Sequence, residues 1–195
     1  MSPSPIRGAL LGAALSALLA GALAAQEVQG GDALWLGADV GPGWARVQCD
    51  ICRADRGSAL TGVLRLGGRL KRGVLVGAEA TLWAGGASGG VHQSMWGLDI
   101  AGYFYPRPRG TFYWKAGLGL LSWRSNDGQD ALSASALGVV AGTGWEIRIA
   151  RTVTVAPYAS VFTAPVGGDI KLNGSTIQRG ASLLLAQVGV SLTKH

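Results

Sequence analysis

Apolar and polar residues alternate along most of this chain. The clearest stretch is the last, residues 181–193, where Leu184, Ala186, Val188, Val190 and Leu192 share one face and Leu183, Leu185, Gln187, Gly189, Ser191 and Thr193 the other. A two-residue period is that of a β-strand, whose successive side chains point to opposite sides. Seven further segments repeat it: residues 34–40, 60–70, 74–82, 96–104, 112–120, 137–149 and 153–161.

Charge decides which way these strands face. Every charged residue inside them (Asp39, Arg65, Arg69, Glu79, Asp99, Lys115, Glu146 and Arg148) falls opposite the apolar face. A lipid-facing Arg or Lys at the bilayer midplane costs roughly 2–4 kcal/mol. The segregation therefore fits an apolar face in hydrocarbon and a charged face in an enclosed lumen. Only 14% of residues are charged, against about 25% in soluble domains. A lipocalin-like arrangement would instead crowd Trp96, Trp114, Trp145, Phe104 and Phe112 into a narrow interior. No strand edge can stay open in lipid, so the last strand must pair with the first. The chain is predicted to be all-β, an eight-stranded antiparallel transmembrane β-barrel of up-and-down topology.

The connections agree. Long stretches at residues 45–58, 85–93, 125–131 and 165–180 alternate with short turns at 71–73, 106–111 and 150–152, as long outer loops alternate with short periplasmic turns in bacterial barrels. Aromatic residues near the strand ends are expected to sit at headgroup level. They are Phe104, Tyr105, Phe112, Tyr113 and Trp114 at one rim and Trp44, Trp83, Trp96 and Trp123 at the other. Asn173-Gly174 is a strong hairpin signal, predicting a projecting ribbon whose edge could pair with another protein, or else a loop stiffened by a turn. Pro157 cannot donate to a ladder and predicts a bulge or shifted register in the seventh strand. Gly37, Gly67, Gly77, Gly97, Gly117, Gly119, Gly142 and Gly144 are expected to make room on the inner face for long Arg, Lys and Glu side chains.

Residues 1–24 read as a signal peptide: Arg7, an apolar run over 8–21 too short to span a bilayer, and Ala22-Leu23-Ala24 at the cleavage site. Residues 25–195 are the barrel domain. In an exported chain, Cys49 and Cys52 of the first outer loop are expected to form a local disulfide in preference to free thiols or a metal site. Zinc would need two more ligands, and His92 is the only evident one on that side.

Turn centres place the inner charges in rows. A turn centred on Arg72 opposes Arg65 to Glu79, and a loop centred on Gly89 opposes Glu79 to Asp99. The first loop brings Asp39 within one residue of facing Arg65, and Lys115 lies close enough to join. Glu79 and Asp99 would repel unless a cation bridges them or one holds a proton.

Through its eight alternating segments, its charge-bearing inner face and its terminal Leu-Ala-Gln-Val-Gly-Val-Ser-Leu strand, the chain resembles the small eight-stranded outer-membrane β-barrel family, the OmpA membrane domain and OmpX-like proteins, over residues 31–195. It departs from them by ending Thr193-Lys194-His195 in place of an aromatic residue. The resemblance implies a cell outer-membrane location, with outer-membrane lipids and the barrel-assembly machinery as partners. It also implies a structural or surface-interaction role for a monomer whose lumen is plugged by the charged network, or alternatively a narrow, low-conductance channel. His92-Gln93-Ser94 resembles the His-x-Ser of lipid A deacylase barrels, but Met95 and Trp96 stand where that motif has Asn and Ala, and no Glu follows at the expected distance. No catalytic residue, cofactor or metal is therefore expected. Outer-rim cations such as Arg46, Arg53, Arg56, Arg124, Lys171 and Arg179 suit lipopolysaccharide phosphates, and the outer loops suit a protein partner. Nucleic acid is not an expected partner of an exported chain.

Overall fold

The computed structural model describes residues 34–49, 57–86, 91–107 and 110–195. The leader expected over residues 1–24, together with Cys52, lies outside them. The alternating segments form β1 (Leu34–Gln48), β2 (Gly57–Lys71), β3 (Val74–Gly86), β4 (His92–Phe104), β5 (Phe112–Asn126), β6 (Ala131–Trp145), a two-residue β7 (Ile147–Arg148), β8 (Val153–Leu172) and β9 (Ser175–Lys194). From β1 to β6, each strand pairs antiparallel with its neighbour in sequence. β6 and β7 pair with β8, β8 with β9, and β9 returns to β1, which closes the ring. This is an eight-stranded antiparallel transmembrane barrel, with β7 continuing the line of β6.

The faces are inverted relative to a water-soluble protein. Leu60, Ile100, Leu118 and Leu137 are 67–77% exposed, whereas Asp39, Arg65, Glu79, Asp99 and Lys115 are at most 7% exposed. Backbone pairing leaves one face of each strand outward, and apolar residues at alternate positions make that face compatible with hydrocarbon.

At the end carrying the long connections, here the loop end, the strands run further than the alternation indicates. β3 reaches Gly86, β5 reaches Asn126 and β9 begins at Ser175. The ladder outlasts the apolar face, because beyond the bilayer polar side chains can flank paired backbone. Arg46 and Arg124, expected in loops, thus lie on the outward faces of β1 and β5.

β8 and β9 are the longest strands, 20 residues each. Their turn has positive φ at both Asn173 (49°) and Gly174 (92°), the geometry of a type I′ hairpin that Asn-Gly favours. A ribbon therefore projects at the loop end. Its tip leans on β6: the Asn173 amide donates to the Ala131 carbonyl at 2.9 Å, and the Ala131 amide donates to Asn173 Oδ1 at 3.0 Å.

The irregularity expected at Pro157 takes a different form. The β8–β9 ladder runs unbroken through Pro157 and Val190, and the register against β6 and β7 is the same on either side. Pairing merely lapses opposite the proline, which has no N–H to give. That lapse separates β7 from β6, and the Glu146 amide donates to the Thr111 carbonyl at 2.6 Å instead. The shifts in β8 lie instead between Ala164 and Lys171, where the ribbon leaves the barrel.

The placement of the apolar band sets an expected outcome. Ile100→Arg, mid-band on β4, should cost roughly 2–4 kcal/mol in refolding titrations into lipid, and Ser58→Arg, at the loop end of β2, about 0–1 kcal/mol. Equal costs would contradict the band.

Candidate functional site: the barrel lumen

The register creates a belt of charge across the lumen. Arg65 lies opposite Glu79, and Glu79 opposite Asp99. Asp39 faces Val63, two positions from Arg65 where the sequence indicated one. Arg65 bridges that offset by crossing Gly37, where an added Cβ would come 3.0 Å from Nη2. Its Nη2 reaches Asp39 Oδ1 at 2.7 Å, an ion pair without the alignment of a hydrogen bond. Lys115 Nζ pairs with Glu79 Oε2 at 2.8 Å.

Tyr103 joins the two pairs. Arg65 Nη1 donates to its hydroxyl at 3.2 Å, and that hydroxyl donates to Glu79 Oε1. From β9, Ser191 Oγ and Thr193 Oγ1 accept from Arg65 Nη2, the latter at 3.2 Å. The guanidinium also lies 5.8 Å from the Trp35 ring and 5.6 Å from that of Tyr103, within cation–π range. Tyr103, Ser191 and Thr193 were not singled out from the sequence, although all three share the lumen parity of the charges.

The repulsion expected between Glu79 and Asp99 is resolved on one side only. Both Glu79 oxygens are occupied, by Lys115 and Tyr103. Both Asp99 oxygens are buried without a hydrogen-bond partner. Among the described residues no cluster of three or more His, Cys, Asp or Glu could hold a metal.

Above the belt, toward the loop end, the lumen is mostly apolar, with Thr61, Ser160 and Gln187 buried among the apolar side chains. Met95, Leu121, Ala164, Ile170, Ala181 and Leu183 are 0% exposed and Trp83 and Leu185 1%. Trp83 donates from Nε1 to the Gly43 carbonyl at 3.1 Å, and its ring lies over Gly57 and Gly85. Of the eight glycines expected to accommodate long charged side chains, four accommodate rings and three lie against charged residues, Gly119 against Asp99 among them. Gly67 and Gly77 lie under Trp35, Gly97 under Phe162 and Gly144 under Tyr113, while Gly37 and Gly142 flank Arg65 and Lys115. Of the residues expected at the rims, Trp83 and Trp123 point inward at the loop end and Tyr113 inward at the turn end, and Trp44, Trp96, Phe104 and Trp114 point outward. Parity dictates the division, since Trp83 shares a face with Glu79 and Trp123 with Lys115.

Below the belt, at the end with the short turns, lies a vestibule of about 610 Å³. The remaining sequence-selected charges gather there. Arg69, Arg148 and Glu146 line it with Arg72, Arg151, Tyr105 and His195. Glu146 Oε1 accepts from the Tyr105 hydroxyl at 2.7 Å. His195 donates its amide to the Thr152 carbonyl at 2.8 Å, and its Nε2 lies 3.3 Å from Thr154 Oγ1. Burial pushes its imidazole below the ordinary pKa; Glu146 opposes the shift, and Arg69 and Arg148 add to it.

Two other sequence candidates lie outside the belt and the vestibule. His92 and Ser94 are on the outward face of β4, beside Trp96, with no hydrogen bond between them among the described residues. Cys49 has no free thiol.

The fold is that of the small eight-stranded outer-membrane β-barrels. Neisserial surface protein A (NspA) superposes with a TM-score of 0.59 at 10% identity, over 83% of this chain and 96% of that one. OprG from Pseudomonas aeruginosa gives 0.48 at 11% identity over 87% and 100%, and Ail, the attachment invasion locus protein of Yersinia pestis, 0.48 at 12% over 82% and 97%. No family profile and no curated protein sequence matches the chain.

The belt predicts a pattern of couplings. Double-mutant cycles in urea refolding should give the largest interaction energies for Arg65 with Asp39 and Lys115 with Glu79, within about 0.5–3 kcal/mol. Arg65 with Glu79 should be weaker and should fall further in a Tyr103→Phe background, because Tyr103 carries the hydrogen-bonded link and only the direct attraction of the two charges remains. Unchanged Arg65–Glu79 coupling in that background would contradict the bridge.

Proposed function

We propose that this chain resides in the outer membrane as a closed barrel, a rigid anchor that presents the β8–β9 ribbon and the neighbouring loops at the cell surface. The observation that carries the reading is the close-packed set of buried side chains, from Trp83 and Met95 to Leu183 and Leu185, across the loop half of the lumen. Eight strands leave an interior just wide enough for side chains to fill, and here apolar side chains and rings fill it. The loop end faces outward and the short turns face the periplasm, in the usual sense of such barrels. The comparison with NspA, a surface protein, accords with that placement.

The same arrangement speaks against catalysis. Hydrolysis by a His-x-Ser pair needs the imidazole within reach of the hydroxyl and an acid to orient it. His92 and Ser94 share an outward strand face, and among the described residues no acid is bonded to either. The partners of this reading are the outer-membrane lipids, with Arg46 and Arg124 near outer-leaflet phosphates, the barrel-assembly machinery acting on the closing strands, and a protein engaging the outer loops. Every long strand already has two neighbours, so no open edge is left for a second copy to pair with, which supports a monomer.

The charged belt favours a second reading, a narrow channel, because ion pairs and hydroxyls could carry water or ions. Planar-bilayer recording separates the two. The closed barrel is expected to give no sustained current, and steady ohmic conductance from purified, refolded protein would establish the channel.

A further inference from the structure

The turn-end vestibule has an electrostatic character of its own. Arg69 and Arg148 lie on the lumen faces of β2 and β7, and Arg72 and Arg151 come from the turns that follow those strands. No acid lies within ion-pair distance of any of the four among the described residues, where the only salt bridges are those of the belt above. Among the described lining residues the one acidic side chain, Glu146, is engaged by Tyr105. Four arginines against Glu146 and the α-carboxylate of His195 leave a net charge of +2 in one cavity.

Arginines at the end of a barrel can serve simply to meet lipid headgroups around its circumference. That role suits outward-facing residues, whereas Arg69 and Arg148 lie on the inward faces. Like charges crowded in a partly enclosed space repel, and an anion entering it relieves the repulsion. Planar guanidinium forks match the oxygens of phosphate and carboxylate. Several forks from separate elements around one cavity suit a tetrahedral oxyanion with two or three free oxygens and one or two negative charges, which favours phosphate. The volume falls within the roughly 300–1,000 Å³ of small-molecule sites, and the filled lumen above makes it a dead end.

We propose that this vestibule binds a phosphate group, carried by a soluble phosphoester or by the headgroup of an anionic lipid from the adjacent leaflet. Arg69 and Arg148 grip it from within the lumen, and Arg72 and Arg151 close over it from the rim. His195 reports on the site, because an anion that offsets Arg69 and Arg148 favours the imidazolium they now oppose.

The test uses the full exported chain refolded in an uncharged maltoside detergent, followed by histidine-selective NMR. The sequence has two histidines, and His92, on the outward face of β4 at the opposite end, is the internal control. Glycerol 3-phosphate, inorganic phosphate and, at matched ionic strength, chloride are titrated separately. A parallel arm uses nanodiscs of phosphatidylcholine with and without phosphatidylglycerol. The expected result is a saturable shift of His195 toward the protonated form while His92 stays still, weakened roughly tenfold or more in Arg69→Gln/Arg148→Gln. Saturation by glycerol 3-phosphate in detergent identifies a soluble ligand, and a response only to phosphatidylglycerol identifies a headgroup; either supports the site. An equal response to chloride, no response in either arm, or an undiminished response in the double variant would each overturn it. Folding of the variant is checked by its migration before and after heating, and the two single variants replace it if it fails to fold. Bilayer conductance is a separate readout, so failure of the closed-barrel reading and failure of this site are distinguishable.

Discussion

Ring closure is the constraint on which the rest of the structure depends. In hydrocarbon an unpaired N–H or C=O has no water to bond, so every strand needs a neighbour on both sides. Closure here is made by β1 against β9, with Val40 opposite Val190. At this seam the backbones approach so closely at Gly41 and Gly189 that a Cβ on either would run into the opposing carbonyl. A substitution there would open the one pairing that no local hairpin enforces. Once the ring is closed, strand parity sends alternate side chains to lipid and to a narrow interior, and the interior must fill itself.

It does so in layers with different chemistry. The loop half is packed with aliphatic side chains and rings set over glycines. The middle is an ion-paired belt in which Tyr103 makes two separate pairs into one network. Breaking a buried pair by removing one partner leaves a stranded charge, at a cost of about 3–5 kcal/mol for full burial. Asp99 is the least satisfied member of the belt, with both carboxyl oxygens unpartnered. The turn end remains open and basic, so the barrel is asymmetric along its axis although its backbone is nearly uniform.

Much of this was legible in the chain because the period of a strand is two and both faces report. The lipid face is apolar from Leu34 to Leu192, and the charges mark the opposite face; register followed from the turn at Arg72 and the loop at Gly89. Three things were not legible. Polar residues do not mark where a strand stops in water, so the loop-end extensions were missed. Apolar residues on the lumen face carry no contrast with those facing lipid, so Leu183 and Leu185 were placed on the correct face without being recognised as a plug. The bridging role of Tyr103 depends on where a hydroxyl lands between two side chains from other strands, which spacing along one strand does not encode. The aromatic residues were a separate case: parity placed Trp83 and Trp123 inside, and proximity to the strand ends suggested the rims.

The proposed closed barrel requires a close-packed plug in the loop half of the lumen above an open turn end. The direct measurement is the reaction of single introduced cysteines with a small water-soluble thiol reagent in detergent micelles, where both mouths are accessible, with the unsubstituted chain as background. Ala164→Cys, within the plug, should remain unlabelled until the protein is unfolded, while Thr152→Cys, in the vestibule wall, should react readily. Rapid labelling of Ala164→Cys in the folded barrel would contradict the account.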